Sequence, residues 1–522
     1  MAVAGERGLG DVATDRAFFG HPRGLSTLFF SEMWERFSYY GMRGFLLLYM
    51  TASVATGGLG LDTAFAAVIY GVYTSSVYMM NIPGGWLADR VLGQRMAVLY
   101  GGILIASGHY ALALPFGVTF YFGLLLIALG TGLLKPNISV IVGQLYDQKD
   151  VRRDAAFSLF YMGINLGAFL GPIITGFLVQ QPWFRARLAD WGMDPNSAWH
   201  WGFGAAGVGM TFGLIQYVLG WKYLGTAGLR PVTAHAPAEY AKARQQAITY
   251  IAIGAAIIVT LAVMIATGAF TPSENMVTVV FSALLLTVTV ALFTSLFSRA
   301  EWTAVERGRL IMIGVYFLAA TLFWSVFEQA GSTLNLFARD FTVGDGQNVN
   351  VAPVYGAFPI VWWQSLNAVL IVLIAPLYAW MWIRLGTRQP STPTKFALGL
   401  IGVGLGFLWL VPAANITLTG LKVGVTWLFV VYLVHTLAEL FLSPVGLSAM
   451  TKLAPPKIIS LVMGIWFLGA SVGNFLGGQA ASFYETLPLP TLLTFVAVPP
   501  ILMGLIMLAF RRKLTELQGG IT

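Results

Sequence analysis

Apolar residues along this chain come in long runs that neither alternate with polar positions nor keep to one helical face. The stretches at 283–293 (ALLLTVTVALF) and 370–382 (LIVLIAPLYAWMW) are apolar almost throughout. A barrel strand is about ten residues long and alternates apolar with polar, whereas a helix immersed in hydrocarbon stays apolar for about 20 residues. The pattern therefore predicts helices. Runs of that length start near residues 26, 65, 95, 118, 155, 200, 245, 275, 310, 353, 394, 424, 458 and 491, about fourteen spans in all. They leave little of the chain for a water-soluble domain.

Composition agrees with lipid as the main solvent. Of the 522 residues, 57% are hydrophobic and 10% charged, where a soluble domain carries roughly 25% charge. The first 25 residues hold Arg7, Arg16 and Arg23 but no apolar core leading to a small-residue cleavage site, so they read as a cytoplasmic tail and not a removable signal. The absence of cysteine excludes disulfides, iron–sulfur clusters and thiolate catalysis. His21, His109, His200, His235 and His435 do not follow a metal-ligand spacing such as HExxH, and no cofactor or metal is expected. A GxxxxGKS or GxxxxGKT phosphate loop is also missing, which leaves an ion gradient as the ordinary energy source. A proton is the natural coupling ion, with sodium as the alternative.

The net charge of +8 is dispersed over many short loops without a nucleic-acid fold signature. Topology accounts for it better, because short loops rich in Lys and Arg stay on the cytoplasmic side. One set of alternate loops carries Arg7, Arg16, Arg23, Arg90, Arg95, Lys149, Arg152, Arg153, Lys222, Arg230, Lys242, Arg244, Arg299, Arg307, Arg309, Arg384, Arg388, Lys395, Lys452, Lys457, Arg511, Arg512 and Lys513. The other carries Arg185, Arg187, Arg339 and Lys422. Both termini are therefore expected in the cytoplasm. The loop LGQR (92–95) after the second span matches LGTR (385–388) after the tenth. This is either a worn internal repeat of two six-span halves, with the pair of spans near 245–268 and 275–298 inserted between them, or a chance tetrapeptide.

Arg36, Arg43 and Lys135 fall inside spans, as do several carboxylates. An ionisable group near mid-bilayer costs at least about 2.5 kcal/mol on insertion scales and needs a partner or a water-filled cavity. In SEMWERFSYYGMR (31–43), the residues Glu32, Glu35, Arg36, Tyr39, Tyr40 and Arg43 are spaced mainly by three or four, along one helix face. That face lines a cavity or, at its Glu32 end, meets the membrane surface. Lys135, Glu328 and Glu439 sit alone in other apolar runs; they face the same cavity or form static salt bridges. A carboxylate beside a cation also suits a proton relay, since pairing favours its charged form and loss of the partner disfavours it. Pro136 and Pro444 lie close to Lys135 and Glu439, where a bend serves as a gate or as structure alone.

The sequence GGWLADRVLGQR resembles the cytoplasmic loop motif of the major facilitator superfamily at Gly85, Asp89, Arg90, Gly93 and Arg95. Its glycines are expected to permit close helix approach and a tight turn, with Asp89 pairing with an arginine or a helix N-terminus. The stretch EMWERFSYYG from Glu32 is similar to the ExxERFxYYG signature of the proton-dependent oligopeptide transporter family, a branch of that superfamily. FYMGINLGAFLGP, with Phe160, Tyr161, Asn165 and Gly167, resembles a second signature, although Ala168 replaces its usual serine. The resemblance implies an all-α membrane protein of two six-helix bundles plus two inserted helices. It implies that Glu32, Glu35 and Arg36 form an ionic cluster with Lys135, and that Glu328 takes the transported proton and otherwise pairs with Arg43. It implies further that Arg43 and Lys135 face a peptide carboxylate and Glu439 its ammonium, assisted by Asn165 and Asn367. Tyr40, Tyr78, Trp324 and Trp466 match positions lining the side-chain pocket, although the two tryptophans alone read as packing or lipid-facing aromatics.

The expectation is thus a proton-coupled symporter importing di- and tripeptides across the cell membrane by alternating access, and not an enzyme. Its organisation would be a tail at 1–25, a first bundle at 26–224, a linker with two inserted helices at 225–309, a second bundle at 310–513 and a tail at 514–522. Its partners would be peptides, protons and membrane lipid, with no nucleic acid and no obligatory protein. A carrier of nitrate or another small anion is the main alternative, opposed by the carboxylate of Glu439, which suits an ammonium. A drug exporter fits the first-helix signature less well, and a membrane enzyme would need a nucleophile, base or metal constellation that does not stand out.

Overall fold

The protein is described here by a computed structural model at residues 15–147, 150, 152–298, 302–342, 350–352, 356–455 and 458–520. Arg7, Lys149, Arg299 and Lys457 of the expected basic loops lie outside the described residues. Each expected apolar run is a helix. The first half comprises α1 (Arg23–Thr51), α2 (Thr63–Met79), α3 (Asn81–Leu87), α4 (Gln94–Leu112), α5 (Gly117–Gln144), α6 (Arg152–Gln180), α7 (Pro182–Asp190) and α8 (Ala198–Gly220). Then follow α9 (Pro237–Ala266), α10 (Glu274–Phe297), α11 (Ala304–Phe327), α12 (Thr333–Phe341), α13 (Trp363–Leu385), α14 (Thr392–Thr417), α15 (Thr426–Leu453), α16 (Ile459–Ser482), α17 (Leu489–Ala509) and α18 (Arg511–Leu517).

Among the described residues, twelve spans are long and apolar enough to cross a membrane. The expected count of about fourteen is completed by α1 and α4, which are long enough but less apolar: α1 carries two glutamates and three arginines, and α4 opens on Gln94 and Arg95. The run expected from residue 353 starts later, in the turn Ile360–Trp362 that leads into α13. The residues before it form a small antiparallel pair, β1 (Asn350–Ala352) with β2 (Gly356–Ala357).

Glycine sets how closely several helices approach, as membrane helix pairs require where no hydrophobic drive separates protein from lipid. In α4 and α5, Gly101 faces Gly130 and Gly108 faces Gly123; a Cβ on any of the four would stand 2.5–2.7 Å from the opposing glycine's carbonyl oxygen. The seven-residue spacing on both helices keeps these contacts on one seam. The pair α14 and α17 also approaches closely at glycine, with Gly404 against Ala497 O and Gly504 against Ala397 O. Both α5 and α15 run on through Pro136 and Pro444. By contrast, the most apolar stretch of α9 buries nothing against the rest of the protein, as suits a helix solvated by lipid.

The chain forms two compact units. One is drawn from the segments up to Tyr39, Met80–Gly167 and Phe203–Phe281; the other from Tyr40–Met79, Ala168–Gly202 and the chain from Ser282 on. The boundary runs through α1, α6, α8 and α10 rather than between them, so each unit holds part of the charged face of α1.

Candidate functional site

In the first unit, one turn of α1 holds a buried ion cluster. Arg36 Nε lies 3.2 Å from Glu32 Oε1, one helical turn away, and donates to the carboxylate of Glu35. All three side chains are buried, and the guanidinium stands over the Tyr39 ring at 5.2 Å. Lys135, on α5, is near enough for its charge to act on Glu32. Two carboxylates with two cations balance their charges, which a buried cluster needs to offset the loss of water. Glu32, Glu35, Arg36 and Lys135 all belong to one unit, with Arg36 in contact with both glutamates. Asn165 lies in the same unit, buried on α6, and its amide donates to Tyr161 O at 2.9 Å.

In the second unit, the next turns of α1 meet the end of α11. Arg43 forms an ion pair with Glu328, and its Nη2 also donates to the Glu328 carbonyl at 3.1 Å. Its Nε donates to Tyr70 Oη at 2.7 Å, and the guanidinium lies 5.8 Å from the Tyr40 ring centre. Tyr78 donates to Glu328 Oε1 at 3.4 Å. Both charged side chains are about 95% buried, so the pair is held away from bulk water. The helix of α11 ends at this point, tightening into the turn Glu328–Gly331. Glu328 is consequently at a helix terminus, where its carbonyl is free to accept from Arg43.

Glu439 on α15 lies in the same unit. Its Oε2 accepts from Asn367 Nδ2 at 3.0 Å, and the same amide reaches Thr436 Oγ1 at 3.0 Å. The charge of Glu328 acts on Glu439. The arrangement is one arginine held by one glutamate, with a second buried glutamate supported by a neutral amide. Chemically, it can exchange a proton at a carboxylate and accept opposite charges at two places. Trp324, on α11, meets Phe327 edge-on at 5.4 Å, and its indole N–H is buried without a hydrogen-bond partner among the described residues. Trp466 packs against Gly446, where a Cβ would come within 2.1 Å of the indole.

The loop predicted from Gly85 to Arg95 is a π turn, Ala88–Leu92, between α3 and α4. Gly93 has φ +76°, the left-handed region that the tight turn needs, and faces Leu229 O. The close helix approach is made by Gly84, whose Cβ would fall 2.0 Å from Gly132 O, whereas Gly85 faces open space. Asp89 accepts from Gln94 Nε2 at 3.0 Å, at the start of the next helix. Arg90 is exposed, and Arg95 is buried and donates to the carbonyls of Gly225 and Ala227.

Tyr70 and Thr436 were missed by sequence reasoning. Tyr70 lies eight residues before Tyr78 on α2, and Thr436 three before Glu439 on α15, so helical periodicity puts each on the face of a predicted residue. That periodicity was the available signal.

Comparison with known proteins gives the family. A family model described as the POT family matches residues 95–492. The chain is similar to an uncharacterized transporter of Bacillus subtilis, YclF, at 40% identity over 97% of each chain. It is 35% identical to a di-/tripeptide transporter of Lactococcus lactis subsp. cremoris over 97% of this chain and 99% of that one. The crystal structure of a peptide transporter POT in complex with sulfate superposes with a TM-score of 0.85 at 41% identity, covering 98% of this chain and 99% of that one.

Proposed function

The chain belongs to the POT family, as a multi-pass membrane protein with the major facilitator fold, and we propose that it imports di- and tripeptides together with protons. The observation that carries the reading is the buried Arg43–Glu328 pair. A proton on Glu328 removes half of the ion pair and frees Arg43 for a peptide carboxylate, while Glu439 takes the peptide ammonium. Asn367 orients Glu439, and Asn165 and Lys135 contribute from the first half. Tyr40, Tyr78, Trp324 and Trp466 contribute aromatic surface that accepts varied side chains without demanding particular hydrogen bonds. The cluster of Glu32, Glu35 and Arg36 with Lys135 couples the protonation state to helix packing.

In this reading, the protein lies in the cell membrane with both termini in the cytoplasm, works in contact with lipid and needs no protein partner. Its halves are the bundles at 26–224 and 310–513, joined by 225–309, and the Gly85–Arg95 loop, with Asp89 and Arg90, takes part in gating. The test is uptake of a labelled dipeptide by proteoliposomes with and without an inward proton gradient, alongside Glu328→Gln. Wild-type protein accumulates peptide only with the gradient; the variant loses accumulation but keeps peptide exchange. Uptake indifferent to the gradient would remove proton coupling, and no peptide uptake would favour the small-anion reading.

A further inference from the structure

Where α13 turns into α14, the second unit contains a hollow of about 840 Å³. Its wall carries Trp382, Ser391, Lys395, Ser448 and Lys452, and its floor is apolar, with Val445, Ala449 and Leu453. Along α15 the lining starts at Pro444, five residues or about 7.5 Å beyond Glu439, and its lysine, Lys452, lies 13 residues or about 20 Å beyond it at 1.5 Å per residue. Its lining includes two lysines and, among the described residues, no carboxylate. Lys395 Nζ stands 4.3 Å from the centre of the Trp382 ring and donates to Gln389 Oε1 at 2.9 Å. Lys452 is near enough for its charge to act on Lys395. Two like charges on one wall repel, and an anion between them converts that repulsion into attraction.

The matching loop of the first half is filled. There Arg95 of LGQR is buried beneath the chain that follows α8: its Nε donates to Ala227 O at 2.6 Å and its amide to Gly228 O at 3.0 Å. Thr233 Oγ1 donates to Arg90 O at 2.6 Å in the same loop region. In LGTR of the second half, Arg388 is exposed and the space stays open. The same loop motif is closed by the protein's own backbone in one half and left basic and unfilled in the other.

We propose that this hollow binds the phosphate headgroup of an anionic membrane lipid, with the phosphate between Lys395 and Lys452 and the glycerol end on the apolar floor. A soluble phosphate compound shares the headgroup chemistry, but the surroundings favour lipid. On α13, Leu373, Leu377, Trp380 and Ile383 are all exposed at helical spacing, forming an apolar track for acyl chains that ends beside the hollow. Arg384 lies 5.4 Å from the Trp380 ring centre at the end of that track, as a residue reaching toward a headgroup layer does. The hollow also sits on the side that the basic loops assign to the cytoplasm, where anionic lipid attracts Lys and Arg.

The full chain in phosphatidylcholine nanodiscs, titrated with phosphatidylglycerol, provides the test: native mass spectrometry counts retained phosphatidylglycerol, and thermal unfolding reads its affinity. Saturable retention is expected to weaken about fivefold for each of Lys395→Gln and Lys452→Gln, the change corresponding to about 1 kcal/mol per basic residue near an anionic surface. The Lys395→Arg, Lys452→Arg protein should keep binding. Ala449→Trp, which fills the hollow without changing charge, should lose it, and its unfolding midpoint in phosphatidylcholine alone reports whether it has folded. Equal retention of both lipids, or retention unchanged by the glutamines and by a folded Ala449→Trp, would overturn the site. Competition by millimolar inorganic phosphate would overturn the lipid assignment in favour of a soluble anion. Peptide uptake enters none of these readouts, so the result is independent of the transport reading.

Discussion

At the scale of single residues, Arg43 is the most constrained group in the site. Glu328 is one of its partners, and Tyr70 Oη accepts from its Nε at 2.7 Å. If Glu328 becomes neutral during transport, Tyr70 Oη and the Glu328 carbonyl are contacts that still hold the guanidinium for an arriving carboxylate. Tyr70→Phe keeps the ring and removes only that acceptor, leaving a buried charged N–H unpaired at a cost of about 1.5–3 kcal/mol. The expected outcome in proteoliposomes is a KM for dipeptide raised about tenfold or more, since 1.4 kcal/mol is a factor of ten. Gradient dependence should survive, because Glu328 is intact. An unchanged KM would show that the other contacts of Arg43 position it without Tyr70. Its eight-residue spacing from Tyr78 hints at a shared face, but within AAVIYGVYTSSVY Tyr70 is one tyrosine of three, and nothing local marks it as a neighbour of α1.

At the scale of elements, the decisive residues are those without side chains. Gly130 on α5 approaches Gly101 on α4 so closely that an added Cβ would lie 2.5 Å from a backbone oxygen, which cannot rotate away. Gly130→Ala is therefore expected to destabilise by about 1–3 kcal/mol, as overpacking does. Gly254→Ala on α9, with nothing within 4 Å, should be neutral or slightly stabilising, because alanine is the better helix residue by about 0.5–1 kcal/mol. Unfolding midpoints of the two variants in detergent check the contrast, and equal shifts would refute the seam. Element positions were legible because apolar run length is a direct record of bilayer thickness, and the charged face of α1 was legible because such groups are costly in lipid. Which glycine does what was not: Gly84 and Gly85 are adjacent and identical, yet one meets Gly132 and the other open space. The helix α13 also starts later than the run expected from near 353, which takes in the β2 residues Gly356–Ala357 ahead of the turn Ile360–Trp362.

At the scale of the whole molecule, alternating access requires that contacts between the two sequence halves form and break. Along α2 the second unit has such a seam with α16 and the residues just after it. Thr63 Oγ1 donates to Glu485 Oε1 at 2.6 Å, Gly71 and Gly478 meet backbone to backbone, and Ser75 and Ser471 hydroxyls lie 2.8 Å apart. From Thr63 to Ser75 the seam covers about 18 Å of helix at 1.5 Å per residue. A carrier that opens to this side must part these contacts; one that does not open here can keep them throughout. The chain contains no cysteine, so Ser75→Cys with Ser471→Cys introduces the sole thiols, at two buried positions already in contact. Oxidation is expected to form the disulfide and abolish dipeptide uptake, and reduction to restore it, with each single variant active throughout. Loss that reductant does not reverse would indicate damage to packing. Full activity of the cross-linked protein, with the bond verified by mass, would mean that α2 and α16 stay together through the cycle and that the opening must be sought along other helices.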